Sequence, residues 1–297
     1  GASAAALAAP AIMPRRAWAA GNEIRIGWVS PTTGPIAGFG SADDYVLGQL
    51  EPVLAEGLDI DGTHYDLRLI PKDNQSNPNR SAEVASQLIL DDEVHLMLSS
   101  SSADTVLPVT DQCELNEVPS VSGDTPWDAF FFGRGGDPAT GFDWTYHFFW
   151  GGQQVVDSYV SLWDQLDTNR KVGLMMSNDS DGVAMSNPDV GFAAQLRSHG
   201  VEVIDLGLFE PLSDDFSAQI GQLKDAGVDI ITGIFLPPDW TTFWVQSLQL
   251  GFQPKAATIA KALLFPSSVE AIGPSAQALS TEIWWSPGHP FTSTING

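Results

Sequence analysis

The stretch Glu23–Gly40, EIRIGWVSPTTGPIAGFG, decides the fold class. Ile24, Ile26 and Val29 are β-formers, so it opens as a buried strand. Pro31, Gly34 and Pro35 then stop the ladder, because proline lacks an N–H and fixes φ. Gly38 and Gly40 leave the backbone bare just before a helical pattern begins. Strand, turn and helix in this order put free backbone N–H groups at the carboxyl end of a strand. In an open α/β sheet, ligands bind there.

Outward from that stretch, strand and helix patterns alternate. Ala42–Leu54 reads as a helix with Tyr45, Val46, Leu50 and Leu54 on one face. Asp61-Gly62 is a hairpin turn signal ahead of a strand at Tyr65–Ile70. Asn77 caps a helix with Pro78 at its first position. A strand at His95–Leu98, a helix at Ala103–Asn116 and a strand at Pro119–Val121 follow. Such alternation predicts βαβ units and a parallel sheet. It lapses across the aromatic, Gly- and Pro-rich run Gly123–Gly152. It resumes with a helix from Asp157 to Leu166, a strand at Lys171–Met176, a helix at Gly191–His199 and a strand at Glu202–Leu208. The helix Asp215–Ala226 carries Phe216, Ile220 and Leu223 on one stripe and ends at Gly227. Strands at Asp229–Phe235, Ala257–Ile259 and Glu282–Trp285 and a helix at Trp240–Leu250 complete the run. The division is therefore a first unit over residues 21–130, a crossing over 131–152, a second unit over 153–285, and the start of a return crossing over 286–297.

The bulk numbers bound the function. With 297 residues the chain can bury a sizeable core. Lys+Arg 13 against Asp+Glu 37 gives a formal charge of -24. Nucleic acids and anionic lipid surfaces need basic patches, so neither is an expected partner. The single cysteine, Cys113, excludes an internal disulfide and reads as a half-buried helix residue. Gly1–Ile12 is Ala-rich and apolar, and Ala17-Trp18-Ala19 fits an A-x-A cleavage site. This matches the later part of an export signal, and its low hydrophobicity is similar to that of twin-arginine signals. The other reading of Gly1–Ala19 is a short amphipathic helix or linker. No later run has the ~18 apolar residues of a membrane span, so no membrane insertion is expected.

The residues also carry a resemblance. IRIGWVSPTTGPIAGFG resembles the opening of the type I periplasmic solute-binding proteins, the branched-chain amino-acid-binding group of ABC importers. Lys72–Pro78 resembles the family's D-x-Q-x-x-P segment. Leu98–Ser102 resembles its serine-bearing ligand loop, and Val118–Ser122 the strand leading to the next one. Asn169–Gly182 resembles the start of the second lobe, and Asp225–Phe235 a later strand in it. The resemblance implies two doubly wound α/β lobes joined by a hinge, and a periplasmic, monomeric protein. It would bind a small solute between the lobes, need no cofactor and no metal, and deliver its solute to an ABC permease. A ligand sensor of the same fold is the alternative. The family continues with further elements after its last crossing, so the chain reads as stopping short of them.

The resemblance also selects candidate ligand residues. Ser101, Ser102 and Thr105 would meet a ligand carboxylate at a helix N-terminus; as plain chemistry, the serines are equally a helix cap. Ser122, Asp124 and Thr125 would contact its polar head; the bland alternative is a self-satisfied turn. In the second lobe Asp181, Phe235, Trp240 and Lys261 would face them. Asp181-Gly182 stands where the family often has Tyr-Gly. Lys261 stands where it often has an acid, which would favour an anionic ligand. Trp28, Trp127, Trp150, Trp240 and Trp285 lie near strand ends and suit an aromatic or quaternary-ammonium solute. Together these favour an aromatic or carboxylate-bearing solute, with an amino acid as the alternative. Asp124 and Asp181 cut the other way: both near one ligand would suit an ammonium, which leaves an aromatic or betaine-like zwitterion open. The histidines show no zinc spacing, and nucleophile-elbow and phosphate-loop motifs are missing, so catalysis is not expected.

Overall fold

The computed structural model describes residues 21–284 and Gly288. The Ala-rich segment 1–20, Trp285 and the remainder of 286–297 lie outside the described residues, so the export-signal and return-crossing expectations are not addressed by the fold.

The first lobe is built from β1 (Glu23–Ser30), α1 (Asp43–Glu56), β2 (Leu58–Ile60), β3 (Thr63–Asp73), α2 (Pro78–Leu90), β4 (Leu96–Ser100), α3 (Ala103–Leu115), β5 (Ser120–Gly123), α4 (Trp127–Gly133) and β6 (Thr145–His147). Its sheet runs β2-β3-β1-β4-β5-β6. All pairings are parallel except the β2–β3 hairpin, which turns at Asp61 and Gly62, both at positive φ. The second lobe follows with α5 (Gly152–Trp163), β7 (Lys171–Ser177), α6 (Ser180–Met185), α7 (Phe192–Ser198), β8 (Glu202–Phe209), α8 (Ser217–Ala226), β9 (Ile230–Ile234), α9 (Pro237–Gln249), β10 (Ala256–Ala260), α10 (Pro266–Ile272) and β11 (Leu279–Ser280). Its parallel sheet runs β11-β10-β9-β7-β8. The fold is thus α/β with two parallel-sheet lobes.

Burial explains these choices. β9 and β10 are buried at every residue, and β7 at all but its first. Continuous apolar strands belong in parallel sheets covered on both faces. Val172, Leu174, Met176 and Ile230 pack on one side, against Val156 and Val160 of α5 and Phe192 and Leu196 of α7. Met175, Ile231, Ala257 and Ile259 pack on the other, against α8 and α9. At the Met175–Gly233 pairing only glycine fits: Gly233 has φ 151, and a Cβ there would lie 1.7 Å from the Met175 carbonyl oxygen. In the first lobe the core lies between the sheet and α2 and α3, around Val84, Leu88, Met97 and Val109. Cys113 is in this core, and burial pushes its thiol up to about 12, so it is inert.

Three expectations need correction. The apolar stripe of α1 does not pack inward: no residue of α1 is buried, and Tyr45 is 72% exposed, because nothing among the described residues covers that side. The run 131–152 is not all crossing. Residues 145–147 form β6 in the first sheet, so the passage between lobes narrows to Phe148–Gly151. Residues 282–284 form no strand; the second sheet ends in β11.

The second-lobe aromatic core generates a test. Phe216, Phe235, Trp240 and Phe243 are all 0% exposed and form one cluster, with Trp240 and Phe243 stacked at 5.4 Å. Trp240→Ala is expected to cost about 3–5 kcal/mol of unfolding free energy in urea, by lost transfer energy plus a cavity. A cost well under about 1 kcal/mol would mean that this cluster does not hold the lobe together.

Candidate ligand-binding cleft

The carboxyl ends of both parallel sheets face one another. Between them lies a narrow cleft with about 40 Å³ of free space, open to solvent. Phe39 reaches it from the loop after β1, Ser102 from the end of β4, and Asp124 from the end of β5. Asp181 enters from the start of α6, Lys261 from the end of β10, and Glu282 from beyond β11. Phe149 and Trp150, in the passage between lobes, form an aromatic side, with ring centroids 4.3 Å apart. Trp284 packs beside them at a tilt, 6.0 Å from Trp150. Phe39 also meets Phe265 of the second lobe edge-on at 4.8 Å. Gly38 permits that approach, since a Cβ there would sit 2.5 Å from the Phe265 ring.

The lobes exchange carboxylates across the cleft. Asp181, on the second lobe, accepts from the Ala103 N–H of α3 with both oxygens at 3.3 Å. Asp104, on the first lobe, accepts from the Ser180 N–H at 3.1 Å and from the Ser180 hydroxyl. Each acid therefore sits at the N-terminus of a helix on the opposite lobe, where unpaired N–H groups favour negative charge. Behind Asp181, the Lys261 ammonium is buried and donates at 2.8 Å to both Asp179 and Asp181. Burial would depress Lys261, but Asp181, Asp179 and Asp104 together hold it well above its ordinary range. Burial pushes Asp181 up to about 6, against the pull of Lys261 and with the push of Asp179 and Asp104.

Two more acids line the cleft without a cation. Burial raises Asp124, with the Ser100 hydroxyl donating to it and Asp43 adding repulsion. Burial brings Glu282 up to about 7, while the Tyr159 hydroxyl donates to it. Among the described residues neither forms an ion pair. Asp124 and Lys261 are both held in the left-handed region, at φ 64 and 68. A non-glycine residue there is strained by about 1–2 kcal/mol, and such strain gathers at ligand sites.

The residues singled out by sequence divide in two. Ser102, Asp124, Asp181 and Lys261 line the cleft, as does Trp150. Ser101 and Ser102 are buried with hydroxyls that have no hydrogen-bond partner. The others are engaged elsewhere. Thr105 donates to the Ser102 carbonyl within α3. Thr125 donates to the Ser101 carbonyl at 2.8 Å and is fully buried. Ser122 pairs with His147 Nδ1 at 2.9 Å. Phe235 and Trp240 belong to the hydrophobic core, not the cleft, because their rings turn to the sheet face that α8 and α9 cover. Lys261 does not offer a free ammonium to an anion, since Asp179 and Asp181 hold it. Sequence reasoning missed Phe39, Phe149 and Glu282. Only Phe39 carried a signal, standing between the two glycines of the opening motif.

Comparison with known proteins assigns the family. A family model described as periplasmic binding protein matches residues 23–293. The chain belongs to that family. Solved periplasmic binding proteins share its fold. The leucine binding protein LivK of Thermotoga maritima is similar, with a TM-score of 0.69 and 20% identity, over 85% of this chain and 67% of that one. The branched-chain amino acid transporter substrate binding protein LivJ of Streptococcus pneumoniae, in complex with isoleucine, gives 0.66 and 18%, over 84% and 68%. A solute binding protein of an ABC transporter from Rhodopseudomonas palustris, in complex with p-hydroxybenzoic acid, gives 0.65 and 19%, over 85% and 66%. The chain therefore spans about two thirds of the length of these structures.

The buried ammonium makes a test of the cleft's electrostatics. Lys261→Met leaves Asp179 and Asp181 facing each other without a cation and is expected to cost about 3–5 kcal/mol near neutral pH. Losing the cation raises Asp181 further in the folded state. The folded state then binds more protons than the unfolded one, so stability returns as pH falls towards about 5. Urea unfolding of the variant across pH checks this. A cost that is small, or independent of pH, would show that Lys261 does not neutralise these acids.

Proposed function

We propose that this periplasmic binding protein is the extracytoplasmic solute-binding component of an ABC importer. It captures one small organic solute between its lobes and presents the closed form to the permease. The observation that supports this best is the cleft itself. Two sheets turn their carboxyl ends to one cleft, and hydrogen bonds join its walls. A solute that touches both walls binds the closed arrangement better than the open one, and that difference drives closure. The reading is one of binding and not of turnover, since the lining offers aromatic surface and buried acids but no nucleophile beside a base. No helix among the described residues is long and apolar enough to cross a membrane. We read the protein as a periplasmic monomer, exported by its Ala-rich segment, with the twin-arginine route suggested by that segment's composition.

The solute has a flat or bulky apolar body. Phe39, Phe149 and Trp150 supply one side of the cleft, and Met185, Phe192 and Ile234 its floor. Apolar and aromatic walls with few polar groups are the usual make-up of a small-molecule site. A thermal-shift screen over small organic solutes tests the role. At about 100-fold excess over its dissociation constant, a true solute stabilises by about 2.7 kcal/mol. Trp150→Ala is expected to weaken that solute by about tenfold or more in a variant that still melts cooperatively. Unchanged affinity in the variant would place the binding site somewhere other than this cleft.

A further inference from the structure

We infer that the cleft takes an organic cation: a protonated amine or quaternary ammonium on an aromatic or flat apolar body, countered by Asp124, while Asp181 keeps carboxylates out. This inference rests on the cleft being a solute site and names the class of solute it accepts.

The first observation is what already fills the place for an anion. The N-terminus of α3 is the ready-made anion position of the first lobe, with Ser102 at its cap and the Ala103 N–H free of any helical partner. Asp181 stands there, with both oxygens 3.3 Å from that N–H. A carboxylate ligand would have to displace Asp181 or lie beside it. Either choice sets two anions together in a site where burial has removed water. Lys261 cannot compensate, because its ammonium lies between Asp179 and Asp181 at 2.8 Å from each.

The second observation is the charge left over. Of the ionisable groups lining the cleft, Asp124, Asp181 and Glu282 are acids and Lys261 is the base. Asp179, Asp104 and Asp43 press on them from behind. Buried acids persist where a cation or several donors offset them. Asp124 has one hydroxyl, from Ser100, whereas Glu282 accepts from the hydroxyls of both Tyr159 and Thr281. An ammonium beside Asp124 supplies the partner that this acid lacks.

The third observation is independent of charge. Ser102 lines the cleft and is 2% exposed, and its buried hydroxyl has no hydrogen-bond partner. A polar group buried this far needs a partner, which points to a polar ligand atom within its reach. The aromatic rings complete the set. Phe39, Phe149 and Trp150 border the same space, and ring faces attract desolvated cations, quaternary ammonium above all.

Calorimetric titration of the full chain with matched probes tests this. Phenethylamine and benzyltrimethylammonium are set against 4-hydroxybenzoate and leucine. The ammonium probes are expected to bind at least about tenfold more tightly than the carboxylates. Asp124→Asn is expected to weaken the ammonium probes by about tenfold or more, and Asp181→Asn to narrow the preference by admitting 4-hydroxybenzoate. Melting curves without probe show whether each variant is folded; should either fail to fold, the ranking of the four probes by the unmodified protein decides alone. Tighter binding of leucine or 4-hydroxybenzoate than of the ammonium probes overturns the inference and leaves the solute-binding role intact. Silence from all four overturns the inference too, and a wider solute screen that is also silent removes the role with it.

Discussion

The Lys261 ammonium, buried between Asp179 and Asp181, is the constraint on which the rest of the cleft depends. Taking these charges out of water costs several kcal/mol per ion, and their mutual attraction only offsets that when the geometry is good. Here the backbone supplies the geometry. Asp179 caps α6, accepting from the Gly182 N–H at 2.9 Å, and so fixes its carboxylate at the end of β7. Lys261 takes a left-handed conformation at the end of β10 to reach it. With Lys261 held, Asp181 is neutralised from behind and can be offered to α3 across the cleft. The ion cluster thus links the second sheet to the first lobe.

That link explains why the cleft is both apolar and acidic. The walls are apolar because the two lobes share a seam: Ala103 and Ala129 of the first lobe belong to the same packed cluster as Val155 and Met185 of the second. Alanines at that seam let α3 and α4 come close to α6. The acids remain because the ends of parallel strands and the starts of helices gather there, and helix N-termini attract carboxylates. Burial then raises Asp124, Asp181 and Glu282 from their ordinary range, so the cleft stores electrostatic tension that a cationic partner relieves.

Much of the fold was legible in the sequence because its signals are local. The Pro and Gly run after β1, the Asn77-Pro78 cap and the Asp61-Gly62 turn each act through neighbouring residues. The buried strands of the second lobe announce themselves by composition. What was not legible depends on distance and facing. α4 and β6 are short and lie in an aromatic run with no period, so no pattern marks them. Phe235 and Trp240 sit at a strand end and a helix start, and adjacency in sequence does not say which sheet face a ring will take. Lys261 was read as a free cation because its partner Asp181 is 80 residues away. The stripe on α1 was read correctly as apolar, yet a stripe states only that a face is fit to be covered.

Carboxylates exchanged across the cleft hold the lobes together. Distances between spin labels measure it directly. Cysteines replacing Leu115 on the first lobe and Val190 on the second are exposed sites for the labels, while Cys113 is buried and unreactive. Pulsed electron resonance then compares the protein with and without the further pair Asp104→Ala and Asp181→Ala. The account predicts one narrow distance population with both acids present, and a broader, longer one when both are removed. Identical distributions in the two proteins would contradict it.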